Sequence, residues 1–319
     1  MSQRKLWSAE ICAGAGGQAL GLEQAGFDHR VCVEWEHMPC ETLRLNRPNW
    51  HIVEADLREW DGHMYRGKVD LFAGGVPCPP YSIASKQLGE DDERNLFPRA
   101  LELVDQIQPK AVMLENVRGL LSPKFQSIRD GIDDDLREMG YNPQWQLLNA
   151  SDYGVSQLRP RVILVAMRDP WNRFFNWPAP HMEPPPTVGE LLRDDMAVAG
   201  WEGADAWAQG ADDIGPTLVG GSTKHGGPDL GPTRARAAWK KLGVNGGSLA
   251  AEPPEPGFEG HPRLTVDMAA RVQGFPREWR FAGAKTAAYR QVGNALPPPV
   301  ARAVGLQIAA AIRKGDKHV

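Results

Sequence analysis

The sequence predicts an α/β protein: a mostly parallel sheet with helices on both faces, plus a small irregular domain. Three observations predict it. Short apolar runs alternate with helically spaced segments through residues 1–168. The first run ends in a glycine-rich turn that opens a helix. From Asp169 to about Pro262 the alternation stops, and 13 of the 27 prolines fall within 170–262. Proline and paired glycines there (Gly220-Gly221, Gly226-Gly227, Gly246-Gly247) allow only short regular elements.

Each element has its own reason. Residues 6–12 form an apolar strand. Residues 18–25 carry Leu20, Leu22 and Ala25 at helical spacing. Strands follow at 31–33, 51–53 and 69–73, with a helix at 38–45 between the first two. A helix at 98–107 precedes the buried strand 111–114. The helix 127–139 has a charged outer face and stops at Gly140. Residues 144–148 and 162–167 make a final strand pair. After Pro262 a helix spans 265–272, capped by Thr265. Pro297-Pro298-Pro299 opens a last helix running to about Arg313, because proline is tolerated in a first turn. The units expected are 1–168, a small irregular domain at 169–262, and 263–319, where helical patterns resume.

Composition sets the limits. At roughly 100–200 residues per domain, 319 residues predict two domains or one with an insert. Hydrophobic residues make up 42% and charged residues 24%, which excludes disorder throughout. The sequence has no apolar run of about 18 residues and no secretory h-region after Met1. Four cysteines fit a reducing cytoplasm rather than a disulfide scaffold. A net charge of −4 argues against a globally basic DNA coat but leaves room for a local basic face.

Chemistry concentrates where predicted strands end. Gly14-x-Gly16-x-x-Ala19 follows a strand and opens a helix, with Glu34 twenty residues after Gly14 to accept ribose hydroxyls. Taken alone, this suits NAD, FAD or S-adenosylmethionine equally. Trp35 is placed to stack on an adenine or to pack in the core. Asp56 is placed to accept from an adenine amino group or to cap the next segment. Cys78 sits in the loop Pro77-Cys78-Pro79-Pro80 after the fourth strand, the position of a nucleophile rather than a core thiol. No Cys or His pair has metal-ligand spacing, so no metal is expected. Glu115-Asn116-Val117 offers an acid. Gln157-x-Arg159-x-Arg161 offers two arginines to a phosphate or a carbonyl oxygen.

Together these motifs resemble the DNA (cytosine-5) methyltransferases. The resemblance covers about 1–168 and 262–313, in family order: Glu10 to Gly17; Val33-Glu34-Trp35 and Asp56; Pro77-Cys78; Glu115-Asn116-Val117; Gln157-x-Arg159-x-Arg161; Arg263-Leu264-Thr265 with Arg271 to Pro276; and Gln291 to Pro298. It implies a Rossmann-like S-adenosylmethionine-dependent methyltransferase fold and a target-recognition domain at 169–262. It implies methyl transfer to C5 of a flipped-out cytosine in duplex DNA. The catalytic residues are then Cys78, Glu115, Arg161 and Arg159. The cofactor, S-adenosylmethionine, is contacted by Cys12, Ala13, Gly14, Gly16, Gly17, Glu34, Trp35, Asp56, Pro77, Leu96, Asn294 and Ala295. DNA is contacted by Ser82, Gln157, Lys224, Thr233, Arg234 and Arg236, the last four within the basic stretch 224–241. The expected setting is the bacterial cytoplasm, as a monomer on double-stranded DNA, with any cognate restriction endonuclease acting independently. Cys12 stands where the family often has Phe, and Pro79-Pro80 where it commonly has Gln. The competing readings are an RNA methyltransferase of the same fold, a silent DNA-binding relative and a nicotinamide dehydrogenase.

Overall fold

The computed structural model describes residues 4–77, 95–220, 227 and 229–318. Its centre is a seven-stranded sheet of order β3-β2-β1-β4-β5-β7-β6. The strands are β1 (Leu6–Ile11), β2 (Phe27–Glu34), β3 (Ile52–Glu54), β4 (Leu71–Gly75), β5 (Ala111–Val117), β6 (Tyr141–Asn149) and β7 (Pro160–Arg168). The pairs from β3 through β5 are parallel, and β7 runs antiparallel to both its neighbours, β5 and β6.

Both faces of the sheet are covered, which is why its strands read as continuous apolar runs. On one face Ile11, Phe72, Val112, Leu114 and Leu164 pack with Leu103, Val104 and Ile107 of α3 (Phe97–Ile107) and with Ile132 and Leu136 of α4 (Gln126–Glu138). On the other face Leu6, Leu71, Met113, Ile163 and Val165 pack under α10 (Pro298–Gly315). Neighbouring residues of one strand thus serve opposite layers, as the strand period of two requires. α10 begins at the proline run as expected. An 18-residue stretch within residues 285–315 is apolar enough by composition to cross a membrane, but most of it is buried inside the protein.

α1 (Gly17–Gln24) and α2 (His37–Asn46) flank β2. Between β7 and residue 265 the regular elements are short, as the prolines predict: α5 (Val188–Ala197), α6 (Ala204–Gly210) and α7 (Thr233–Lys241). Their apolar residues, including Leu192, Trp207 and Trp239, form one cluster with α8 (Val266–Val272) and α9 (Lys285–Asn294). That cluster reaches Ala13, Leu20 and Leu43 beside the glycine turn, so the core of the insert is continuous with the return segment and the first two helices. The Thr265 hydroxyl accepts from the Met268 N–H at 3.2 Å, which confirms the cap. α9, ten residues long, is a helix of the return segment that the sequence reading missed.

Candidate active site

The carboxyl ends of β1, β2, β4 and β5 lie side by side, and β7 enters at the same edge because it runs the other way. The register pairs Gly75 with Glu115 and Val117 with Arg161. Strand topology therefore brings the ends of five strands together, and with them motifs that are far apart in sequence.

The turn after β1 is held from three sides. Cys12 and Gly14 have positive φ, +48° and +52°. The Gly14 N–H donates to a Glu34 carboxylate oxygen at 2.7 Å, and the N–H groups of Trp35 and Glu36 donate to the other oxygen at 2.9 and 2.8 Å. Burial pushes the Glu34 pKa up against these three donors. The Trp279 indole N–H donates to Ala15 O at 3.1 Å. A Cβ on Gly17 would lie 2.3 Å from Leu296 O and 3.0 Å from the Ala295 methyl, so only glycine lets the return segment close on the turn. Burial, then the charges of Glu34, Glu10 and Asp56, raises the Cys12 pKa and keeps it a thiol.

Trp35 is 68% exposed beside Glu34, so it does not pack in the core. Asp56 pairs with Arg58, which lowers its pKa. Leu96 is the residue before α3 and packs against that helix's core. Asn294, the last residue of α9, is exposed, and Ala295 follows it.

At the end of β5 the Glu115 carboxylate takes Arg161 Nε at 2.8 Å, and both side chains are nearly buried. The carboxylate also lies against Gly75, whose added Cβ would be 3.3 Å from Glu115 Oε2. Burial raises the Glu115 pKa, and Arg161 and Arg159 oppose it. The next residue, Asn116, donates to Val76 O at 2.8 Å and so fixes the chain two residues before Cys78. Pro77 is exposed at that point. Cys78 and Ser82 lie outside the described residues, as does Lys224.

Two expectations are corrected. Gln157, expected on DNA, is fully buried: it donates to Gln273 Oε1 at 2.7 Å and accepts from the Leu218 N–H at 2.9 Å. Arg159, expected to be catalytic, is fully buried and donates to Leu218 O, Gly293 O and Ala295 O at 2.7, 2.7 and 2.9 Å. These three acceptors are backbone carbonyls, and a fourth, longer bond at 3.5 Å runs to Gln157 Oε1. Burial first, then Arg161, lowers the Arg159 pKa. Thr233, Arg234 and Arg236 are exposed on or beside α7, together with Lys240 and Lys241. The sequence reading overlooked Trp279, Gln273 and the holding role of Asn116. The first two fell inside or beside quoted motifs, but their partners are remote in the chain.

The fold and the site define a class: an α/β enzyme with a nucleotide-type glycine turn and a buried carboxyl–arginine pair at the same sheet edge. The chain belongs to the C-5 cytosine-specific DNA methylase family, whose pattern matches residues 7–310, and is an enzyme of that activity. It is 54% identical over 308 residues to the type II methyltransferase M.NaeI of Lentzea aerocolonigenes, covering 95% of this chain and 74% of that one. It is 54% identical over 310 residues to the type II methyltransferase M.NgoMIV of Neisseria gonorrhoeae, covering 96% and 98%. Among solved structures, an Escherichia coli prophage-encoded putative DNA modification methyltransferase superposes with a TM-score of 0.67 at 22% identity, over 96% of this chain and 99% of that one. That likeness carries the fold alone.

Proposed function

We propose that this chain methylates cytosine in a specific duplex DNA sequence as the modification partner of a restriction endonuclease, with residues 169–262 choosing the sequence. The buried Glu115–Arg161 pair at the end of β5 is the observation that carries the chemistry. The likeness to type II methyltransferases supports the biological setting, the bacterial cytoplasm where the chromosome lies.

The residues present fit S-adenosylmethionine. Glu34 is a carboxylate held rigid by three N–H groups and available to ribose hydroxyls, and Trp35 offers an exposed ring beside it for an adenine. At Gly14 nothing lies within 4 Å of an added Cβ, so the turn leaves open space. Cys12, Ala13, Gly16, Gly17, Asp56, Pro77, Leu96, Asn294 and Ala295 complete the proposed pocket. S-adenosylmethionine, when bound, supplies an electrophilic methyl group.

The chain's own residues make C5 nucleophilic. The Cys78 thiolate adds to C6 of the flipped cytosine, and electron density moves toward C5, N3 and O2. Glu115 gives a proton to N3 and Arg161 faces O2, where charge develops. Once C5 has gained the methyl group, its proton passes to solvent, the N3 proton returns to Glu115 and Cys78 departs as a thiolate, which restores the aromatic ring. Ser82, Lys224, Thr233, Arg234 and Arg236 are the proposed DNA contacts.

Tritium transfer from labelled S-adenosylmethionine to unmethylated plasmid DNA tests this reading, with tRNA offered in parallel. Wild-type protein labels the DNA, and Cys78→Ala does not. Labelling of tRNA alone, or retained labelling by Cys78→Ala, overturns it.

A further inference from the structure

We propose that Gln157 and Arg159 are positioning residues that lock the recognition segment to the catalytic strand, so that seating the segment on its DNA sequence sets the rate of chemistry and not only affinity. The proposal rests on the methyltransfer reading above.

Gln157, Arg159 and Arg161 alternate along one stretch of extended chain and share a face. The third of them holds Glu115. The first two grip a single residue of the insert, Leu218: its N–H donates to Gln157 Oε1 at 2.9 Å and its carbonyl accepts from Arg159 at 2.7 Å. The backbone joins in. The Gly215 N–H donates to Ser156 O at 2.9 Å, and the Leu158 N–H donates to Gly215 O at 2.8 Å. The Thr217 hydroxyl donates to Leu158 O at 2.5 Å. Gly215 in turn lies under the fully buried Trp239 of α7, whose ring is 2.5 Å from an ideal Cβ there. The path from the basic helix to Arg161 is therefore short and rigid.

The return segment closes the joint. Arg159 also holds Gly293 O and Ala295 O, and Gln273 donates to Ala295 O at 2.5 Å. Gly293 and Gly220 cross backbone to backbone. A Cβ on Gly293 would lie 2.3 Å from Gly220 N, and one on Gly220 would lie 2.4 Å from Arg290 O. Among the described residues no carboxylate pairs with Arg159, and its Nε has no acceptor. A buried cation held by carbonyls is a poor device for stability, since apolar packing of similar volume does that better. Donors aimed at two other segments instead specify one relative placement of all three.

The test compares wild type, Arg159→Lys and Gly220→Ala on unmethylated plasmid DNA, by tritium transfer and by bisulfite sequencing of the product. Lysine keeps the charge but loses the planar fork. Alanine at 220 removes none of the Gln157 and Arg159 donors or acceptors and wedges the crossing apart, pressing on Arg290 O and the Asn294 side-chain amide. In both variants kcat at saturating S-adenosylmethionine falls at least tenfold, while the KM for DNA stays within threefold. The ratio of methylation at preferred sites to sites one base pair different also falls. A folded Gly220→Ala protein with wild-type kcat and wild-type discrimination overturns the proposal, whatever Arg159→Lys does. So does a loss confined to KM. Wild-type protein that labels no DNA would instead sink the underlying reading.

Discussion

A carboxyl group that donates a proton near neutral pH has to resist ionisation, and two arginines beside it work the other way. Glu115 sits at that balance: burial raises its pKa while Arg161 and Arg159 pull it down. Glu115→Gln keeps the shape and removes the transferable proton. We expect kcat to fall by about 10²–10⁴-fold, the usual range for a lost general acid. S-adenosylhomocysteine binding, read by calorimetry, should not change, and a parallel loss there would show that the pocket had collapsed instead. His29 is a different kind of titrating residue. It is buried, with Nε2 donating to Ala19 O at 2.9 Å and Nδ1 2.8 Å from the Ser8 hydroxyl, and burial lowers its pKa to about 4. Between pH 4 and 6.5 the unfolded chain binds the proton and the folded chain does not. The neutral ring's contribution is thus complete above pH 6.5 and falls by about 3 kcal/mol as the pH drops to 4. Glu10 and Glu34, whose pKa values are raised, have the opposite dependence, so the wild-type curve alone does not isolate the histidine. The difference between wild type and His29→Gln in urea unfolding at pH 7.5 and pH 5 does. The variant should lose less stability than wild type on acidification, and equal losses would refute the assignment.

The glycine turn and α8 show how single positions decide whether an element sits correctly. Gly17→Ala places a methyl 2.3 Å from Leu296 O, so the return segment has to move away from α1. We expect at least a tenfold weaker affinity for S-adenosylhomocysteine with the far-ultraviolet spectrum unchanged, and wild-type affinity would mean the turn has slack. Thr265→Ala removes the bond to the Met268 N–H and should cost about 1 kcal/mol in urea unfolding. These elements were legible beforehand for physical reasons. Strands buried on both faces need apolar runs, and β4, β5 and β7 have them. Thr265 and the proline run mark helix starts by local chemistry. α9 was not legible: it contains Gly293 near its end and has no side-chain cap, and it is held by tertiary contacts such as Thr42 to Gln291 at 2.6 Å. The fates of Gln157 and Arg159 were hidden for a related reason. Polar residue types point outward by default, and their burial depends on partners such as Leu218 and Gly293, 59 to 134 residues away.

A protein of net charge −4 has to bind a polyanion through the distribution of its charge rather than its sum. The exposed arginines and lysines of α7 are the local excess that the proposed function needs, and Trp239 fixes where they sit. Its fully buried ring anchors the helix on the inner side. Trp239→Ala should therefore cost about 3–5 kcal/mol and move the basic face with it. Removing the charges while leaving the anchor is the cleaner test of DNA contact. If Arg234 and Arg236 each neutralise a phosphate, each releases about 0.9 of a counterion on binding. The slope of log K against log salt concentration should then be less steep by about 2 in Arg234→Ala/Arg236→Ala than in wild type. Fluorescence anisotropy on a labelled random-sequence duplex, titrated between about 50 and 200 mM salt, reads this slope without knowledge of the target site. An unchanged slope with weaker binding to the methylated sequence alone would assign these arginines to base edges instead. An unchanged slope with unchanged affinity would remove α7 from the DNA surface.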